Sequence, residues 1–294
     1  MLIDTHIHIA SNDFFNRESW HDIDIRERIE GIRNTLREYK NRGICILRDG
    51  GDSIFASKLA REIAKEENMI YKSPIYAIYK EGYYGSFLGR SIIDKEDFKR
   101  EFKVLLEHDL DHLKIILTGM VSFQEYGKVG ETAFTLDELK YMVDVAKEYN
   151  IPVMVHANGI EGVSRAISAG VNTIEHAYLI SEREVYRMGE RGIIWSPTLA
   201  PLGNILSSND NNFLEEMEVI KKVYKGQVEN IKNAIKTGVK VALGSDAGAY
   251  RVSHGGGLLD EICHFEAIGF DRNKIEKMAF ENGMLALNLD MDTF

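Results

Sequence analysis

Eight short apolar runs alternate with amphipathic segments along the chain, and the links between them come in two lengths. The runs are 2–7, 44–47, 74–79, 113–117, 153–155, 173–175, 193–196 and 239–243. Between them, apolar residues recur at helical spacing. Ile25, Ile29, Ile32, Leu36 and Tyr39 mark one helix face, Phe98, Phe102 and Leu105 a second, and Leu136, Leu139, Val143 and Ala146 a third. Thr135 with Glu138, and Ser181 with Glu184, have the spacing of capping boxes. Passage from helix into strand takes a tight turn at Asn41-Arg42-Gly43, Ala169-Gly170-Val171, Arg191-Gly192 and Thr237-Gly238. Several segments after a strand are long: 80–93, 118–134, 198–213 and 246–257. Short turns at one rim and long loops at the other predict an α/β fold, a (β/α)8 TIM barrel whose strand C-terminal ends carry the site. A doubly wound open sheet is the alternative, but no Gly-x-Gly-x-x-Gly follows a first strand.

Apolar residues make up 44% of the 294 positions, enough to bury a core and to exclude a disordered chain. No repeat, linker or shift in composition divides the sequence, so one domain over 1–294 is expected. Lys and Arg number 36 against 46 Asp and Glu, a net charge of −10 that argues against a nucleic-acid partner. Two cysteines, Cys45 and Cys263, are too few for a disulfide framework. The first residues lack the basic region of a signal peptide. No stretch approaches the roughly 18–20 apolar residues that a membrane span needs. The expectation is a soluble cytoplasmic protein that acts on a small molecule away from membranes, with a homo-oligomer left open.

The chemistry gathers at the strand ends. At His6-Ile7-His8 the two-residue period of a strand puts both imidazoles on one face, as two ligands of one metal require. Alone, such a pair also suits a merely polar strand end. Lys114 in the fourth run, His156 and His176 ending the fifth and sixth, and Asp246 after the eighth bring six metal-competent side chains to one rim. His21, His108 and His112 are scattered in helical or polar surroundings, as structural histidines are.

This set, with Asp4-Thr5-His6-Ile7-His8, His112-Leu113-Lys114-Ile115, Val155-His156-Ala157-Asn158-Gly159, Thr173-Ile174-Glu175-His176, Pro197-Thr198-Leu199 and Gly244-Ser245-Asp246-Ala247-Gly248, resembles the amidohydrolase superfamily. The segment 162–175 looks like its branch of imidazolonepropionase and prolidase-type enzymes. The resemblance implies two divalent metal ions, Zn first, with Mn, Co or Fe suited to the same donors. His6, His8 and Asp246 would hold the more buried ion, and His156 and His176 the other. Lys114, carbamylated by CO2, would bridge them. An ammonium cannot stand between two dications, so its reference pKa of ~10.4 must fall before CO2 adds. The implied activity is hydrolysis of a C–N bond in an N-acyl amino acid, a dipeptide or a cyclic amide. A metal-bridging hydroxide would attack, and Asp246 would carry the proton to the leaving nitrogen. A lactone or phosphotriester hydrolase would use the same apparatus. A mononuclear deaminase wants a glutamate close after the fifth-strand histidine, where the nearest is Glu161. A non-enzymatic barrel would leave the bridging lysine without a purpose. Relatives carry a β-sandwich from residues flanking the barrel; here a barrel without that accessory domain is expected.

Substrate contacts are expected from the long loops. Tyr84, in the aromatic loop 80–87, would donate a hydrogen bond to substrate, unless its ring only packs on the surface. After the eighth run, Arg251 would pair with a substrate carboxylate and His254 would orient Asp246 or the leaving group. Arg48 is expected to be a buried ion-pair partner of Asp49 or of another rim carboxylate.

Overall fold

The structure is a computed structural model that describes residues 1–11, 20–208 and 210–290. In chain order the elements are β1 (Leu2–Ile7), α1 (Ile25–Asn41), β2 (Ile44–Asp49), α2 (Ala56–Glu66), β3 (Ile70–Lys72), β4 (Ala77–Lys80), β5 (Gly89–Ile92), α3 (Lys95–Glu107), β6 (Leu113–Ile116) and α4 (Leu136–Glu148). They continue with β7 (Val153–Ala157), α5 (Gly159–Ala169), β8 (Thr173–His176), α6 (Glu182–Glu190), β9 (Ile194–Ser196), α7 (Ala200–Ser208), α8 (Met217–Thr237), α9 (Gly257–Ala267) and α10 (Arg272–Ala286). Every ladder is parallel: β1 on β2 on β3, and β5-β4-β6-β7-β8-β9.

These ladders close into a (β/α)8 barrel. Asp111 N donates to Ser73 O (2.9 Å), carrying the sheet from β3 to β6, and Ile78 of β4 pairs with Ile115. The run 239–243 fills the last gap without forming a regular strand. Trp195 N donates to Lys240 O (2.9 Å), Ala242 N to Trp195 O (2.9 Å) and Thr5 N to Leu243 O (3.0 Å), joining β9 to β1. β5 pairs with the outer side of β4 and lies outside the ring.

The third run, expected as a continuous strand over 74–79, becomes a strand only from Ala77, and β3 lies before it. Pro74 has no N–H to give a ladder, and Ile75 sits at φ 68°, so the chain breaks between β3 and β4. The loop after β9 contains a helix, α7, that the sequence pattern did not suggest.

Both expected capping boxes are present, at Thr135/Glu138 and Ser181/Glu184. On α1 the expected face is buried at Ile32, Leu36 and Tyr39, while Ile25 in the first turn is exposed. Tight helix-to-strand turns close through Gly170 and Gly238, each in the left-handed region that ends a helix cheaply. Among the described residues, no helix is long and apolar enough to cross a membrane.

The helix α7 is held from across the rim. Glu261 on α9, fully buried, accepts a hydrogen bond from Ala200 N at the helix start (2.6 Å). Burial pushes its carboxyl up to about 8, against the pull of that hydrogen bond. The fold therefore prefers the neutral acid. The contribution of this group to stability is fully present below the ordinary glutamate range near 4.5 and is lost as pH rises through about 8. Melting curves of the protein and its Glu261→Gln variant are expected to diverge over this window, the parent losing ground as pH rises. Parallel curves would contradict it.

Candidate metal centre

His6 is fixed at the C-terminal end of β1 by what lies beneath it. Its Nδ1 donates to Glu175 Oε2 (2.8 Å), and the other oxygen of Glu175 accepts from Arg48 Nη2 (2.8 Å). Arg48 also donates to Thr5 O (2.7 Å) and Thr173 Oγ1 (3.0 Å) and is wholly buried. Its partner is thus Glu175, the rim-carboxylate alternative; Asp49 is instead occupied by Ile9 N, Gly51 N and Tyr71 OH. With Nδ1–H committed to Glu175, the Nε2 lone pair of His6 faces upward. There it meets His8 Nε2 at 3.2 Å, and Asp246 Oδ1 lies 3.5 Å from each.

The four strand-end imidazoles form one row. Ring centroids step from His8 to His6 by 5.1 Å, to His176 by 4.9 Å and to His156 by 4.6 Å. His176 Nδ1 bonds Thr198 Oγ1 (2.7 Å), and His156 Nε2 receives Asn158 Nδ2 (3.3 Å). Burial and the nearby Lys114 charge hold His8 and His156 down at about 3, and His6 and His176 well below the ordinary imidazole range. All four are neutral at physiological pH, the form that binds metal.

Backbone conformation aims several of these groups. His176, Thr198 and Asp246 lie at φ 66°, 50° and 59°, where a non-glycine residue stores strain of about 1–3 kcal/mol. The two-residue period of β8 would separate Glu175 from His176. The left-handed turn at 176 lets the carboxylate serve the barrel interior while the imidazole reaches the rim. Asp246 is tied down through Asp246 N to His6 O (2.8 Å), and its neighbour Ser245 bonds Asp4 through both N (2.9 Å) and Oγ (2.6 Å). Gly50 is required by close approach, since a Cβ there would lie 2.2 Å from the His8 ring.

Lys114 lies in the middle of β6 with its Nζ buried and without any hydrogen-bond partner. Its charge is felt by all four imidazoles and by Asp246. Burial lowers its amine to about 8, Glu175 opposing and Arg48 reinforcing the shift. Asp246 is raised to about 6 by burial, with Lys114 opposing. An orphaned amine, a row of neutral imidazoles and a carboxylate fit divalent cations. One atom each of His6, His176 and Asp246 lies within 4.8 Å of the others, close enough for the three to belong to one metal centre.

A cavity of about 270 Å³ opens over this set, lined by His8, His156, His176 and Asp246 and by the loops around them. Tyr84 lines it, its ring 5.8 Å from His156. Arg251 and His254 do not line it. The Arg251 guanidinium donates to Asp210, which holds it away from a substrate carboxylate. His254 has Nδ1 bonded to Tyr39 OH (2.9 Å) and Nε2 to Ser11 O (2.9 Å), so neither nitrogen is aimed at Asp246. In these contacts the two side chains tie the loop that carries Asp246 to its surroundings. Glu161, the nearest glutamate after His156, has its side chain 73% exposed and ion-paired with Arg165 on α5.

Three contributors had no role in the sequence reading. Glu175 stands in a quoted motif, and its two-residue spacing from Thr173, facing the buried Arg48, is the signal that finds it. Thr198 likewise stands in a quoted motif, Pro197-Thr198-Leu199, while Gly50 carries no signal without the fold.

Fold and site together define a parallel barrel with a polyhistidine–carboxylate centre at its strand C-terminal ends. The sequence pattern of the amidohydrolase family matches residues 2–293, and the chain belongs to that family. It is similar to ochratoxinase of Aspergillus niger, 27% identical over 152 residues, which is 51% of this chain and 32% of the relative. An uncharacterised protein of Mycobacterium bovis is 27% identical over 135 residues, 45% of this chain and 36% of that one. The matches thus span about a third of the length of these curated relatives. Among solved structures, an Xaa-Pro dipeptidase with methionine in its active site superposes with TM-score 0.78 at 22% identity, covering 98% of this chain and 75% of that one. The A. niger ochratoxinase superposes with TM-score 0.78 at 21% identity, covering 97% and 71%. At such identities the superpositions establish the fold.

Proposed function

We propose that the chain is a binuclear metal-dependent amidohydrolase that cleaves a C–N bond in a small substrate. His6, His8 and Asp246 would hold one divalent ion, His156 and His176 a second, with Lys114 between them as its carbamate. The observation that carries this reading is the partnerless Lys114 Nζ among neutral imidazoles. A buried amine without a partner is costly as an ammonium and gains partners as a carbamate. At about 8 a useful fraction is the free amine that CO2 requires. When bound, divalent cations would supply a water acidic enough to ionise near neutral pH and a Lewis acid for the carbonyl oxygen.

The protein's own groups do the rest. Asp246 accepts the proton of the attacking water and returns it to the leaving nitrogen as the C–N bond breaks. Tyr84 donates its phenolic proton to the substrate oxygen, its burial keeping that proton in place. Glu175 and Arg48 keep His6 in one tautomer. The mostly apolar lining of the cavity excludes bulk water.

Asp246→Asn keeps the size of the side chain and removes the base. Amide turnover is expected to fall by about 10²–10⁴-fold, while metal analysis still finds ions bound. Turnover equal to the parent would contradict the assignment.

A further inference from the structure

Away from the imidazole row and Asp246, the cavity walls are mostly aromatic and aliphatic. Phe123, Phe213 and Tyr250 form an edge-to-face series with centroids 5.9 and 5.5 Å apart. Beside His156, Tyr84 meets Phe87 edge-on at 5.6 Å. Met120, 53% exposed, carries the apolar surface out to solvent. Among the described residues, no lysine or arginine lines this space. Arg251 adjoins the lining residue Tyr250, but its guanidinium is held by the buried carboxylate of Asp210. A net charge of −10 does nothing to draw anions in.

We infer that the site selects an uncharged amide carrying a bulky aromatic or branched apolar group beside the scissile bond, and rejects the same molecule with a free carboxylate there. This rests on the proposed amide hydrolysis and narrows its substrate class. A flat apolar group exchanges water for ring edges and faces, which is favourable. A carboxylate in the same place loses its water and meets, among the described lining residues, neutral hydroxyl and amide donors but no lysine or arginine to offset its charge, which is costly. Dipeptides and N-acyl amino acids are disfavoured by this reading wherever their carboxylate would sit beside the scissile bond.

The test compares N-benzoylphenylalaninamide with N-benzoylphenylalanine, alike in shape and different in charge. Calorimetric binding to metal-free protein and initial rates with zinc-loaded protein are both measured. The neutral compound is expected to bind on the order of 10²-fold more tightly. Phe213→Ala is expected to weaken the neutral compound about 10-fold and leave the acid unchanged. Met120→Arg, at an exposed side chain, is expected to narrow the gap by strengthening the acid. Equal binding of the two compounds, tighter binding of the acid, or no binding of either overturns the inference. Cleavage of both at equal efficiency overturns it while leaving amide hydrolysis intact. Preference for the neutral compound in binding without cleavage supports it and overturns the hydrolytic reading.

Discussion

Lys114→Ala is expected to lower bound metal from two equivalents per chain toward one and to cut turnover on the order of 10³-fold. The side chain lies on β6 with its amine buried and partnerless, so alanine leaves a space lined by imidazoles and a carboxylate. No hydrogen bond is lost with it. The fold itself should tolerate the change better than the metal centre does. Added acetate or propionate, which can place a carboxylate oxygen in that space, is expected to restore part of both metal content and turnover. Metal content and turnover unaffected by Lys114→Ala would show that the amine has no bridging role. A loss that short carboxylates do not repair would count against the carbamate, though not against the ligand row.

Glu175→Ala is expected to have the largest effect on stability. The carboxylate takes Arg48 Nη2 on one oxygen and His6 Nδ1 on the other, both at 2.8 Å, and all three groups are buried. Removing one member of a buried ion pair leaves the other as an uncompensated charge, a cost of about 3–5 kcal/mol. His6 simultaneously loses the acceptor that sets its tautomer, which weakens metal binding by about 10–100-fold. Glu175→Gln separates the two effects. It keeps the shape and an acceptor while removing the charge, so folding should recover more than metal affinity does. Chemical denaturation and metal titration of both variants check this. Full stability in Glu175→Ala would mean that Arg48 finds another partner.

Legibility of the sequence followed the range of the interactions involved. The period of His6-Ile7-His8 and the capping boxes are local, and the structure has them where they were expected; the alternation of strand and helix follows the expected order except at the third and eighth runs and at α7. The barrel could be inferred because loop asymmetry is also a local property, repeated along the chain. The split between β3 and β4 turns on Pro74 and the left-handed Ile75, a local signal that the apolar run masked. α7 was hidden because Pro201 and Gly203 read as loop residues, whereas Pro suits the first turn of a helix and Glu261 supplies the missing acceptor from far along the chain. The contacts of Arg251 and His254 were hidden for the same reason. Asp210, Tyr39 and Ser11 decide where those side chains point, and nothing near 251 or 254 in sequence announces them. Arg48 is intermediate: its burial was expected, but choosing Glu175 over the adjacent Asp49 required knowing which strands face each other.

Anomalous X-ray diffraction from crystals grown with zinc and bicarbonate tests the central claim most directly. Two anomalous peaks should stand at the row of imidazoles, one against His6, His8 and Asp246 and one against His156 and His176. Density continuous with Lys114 Nζ should reach both. Peaks confined to other parts of the surface, with Lys114 ending in a bare amine, would contradict it.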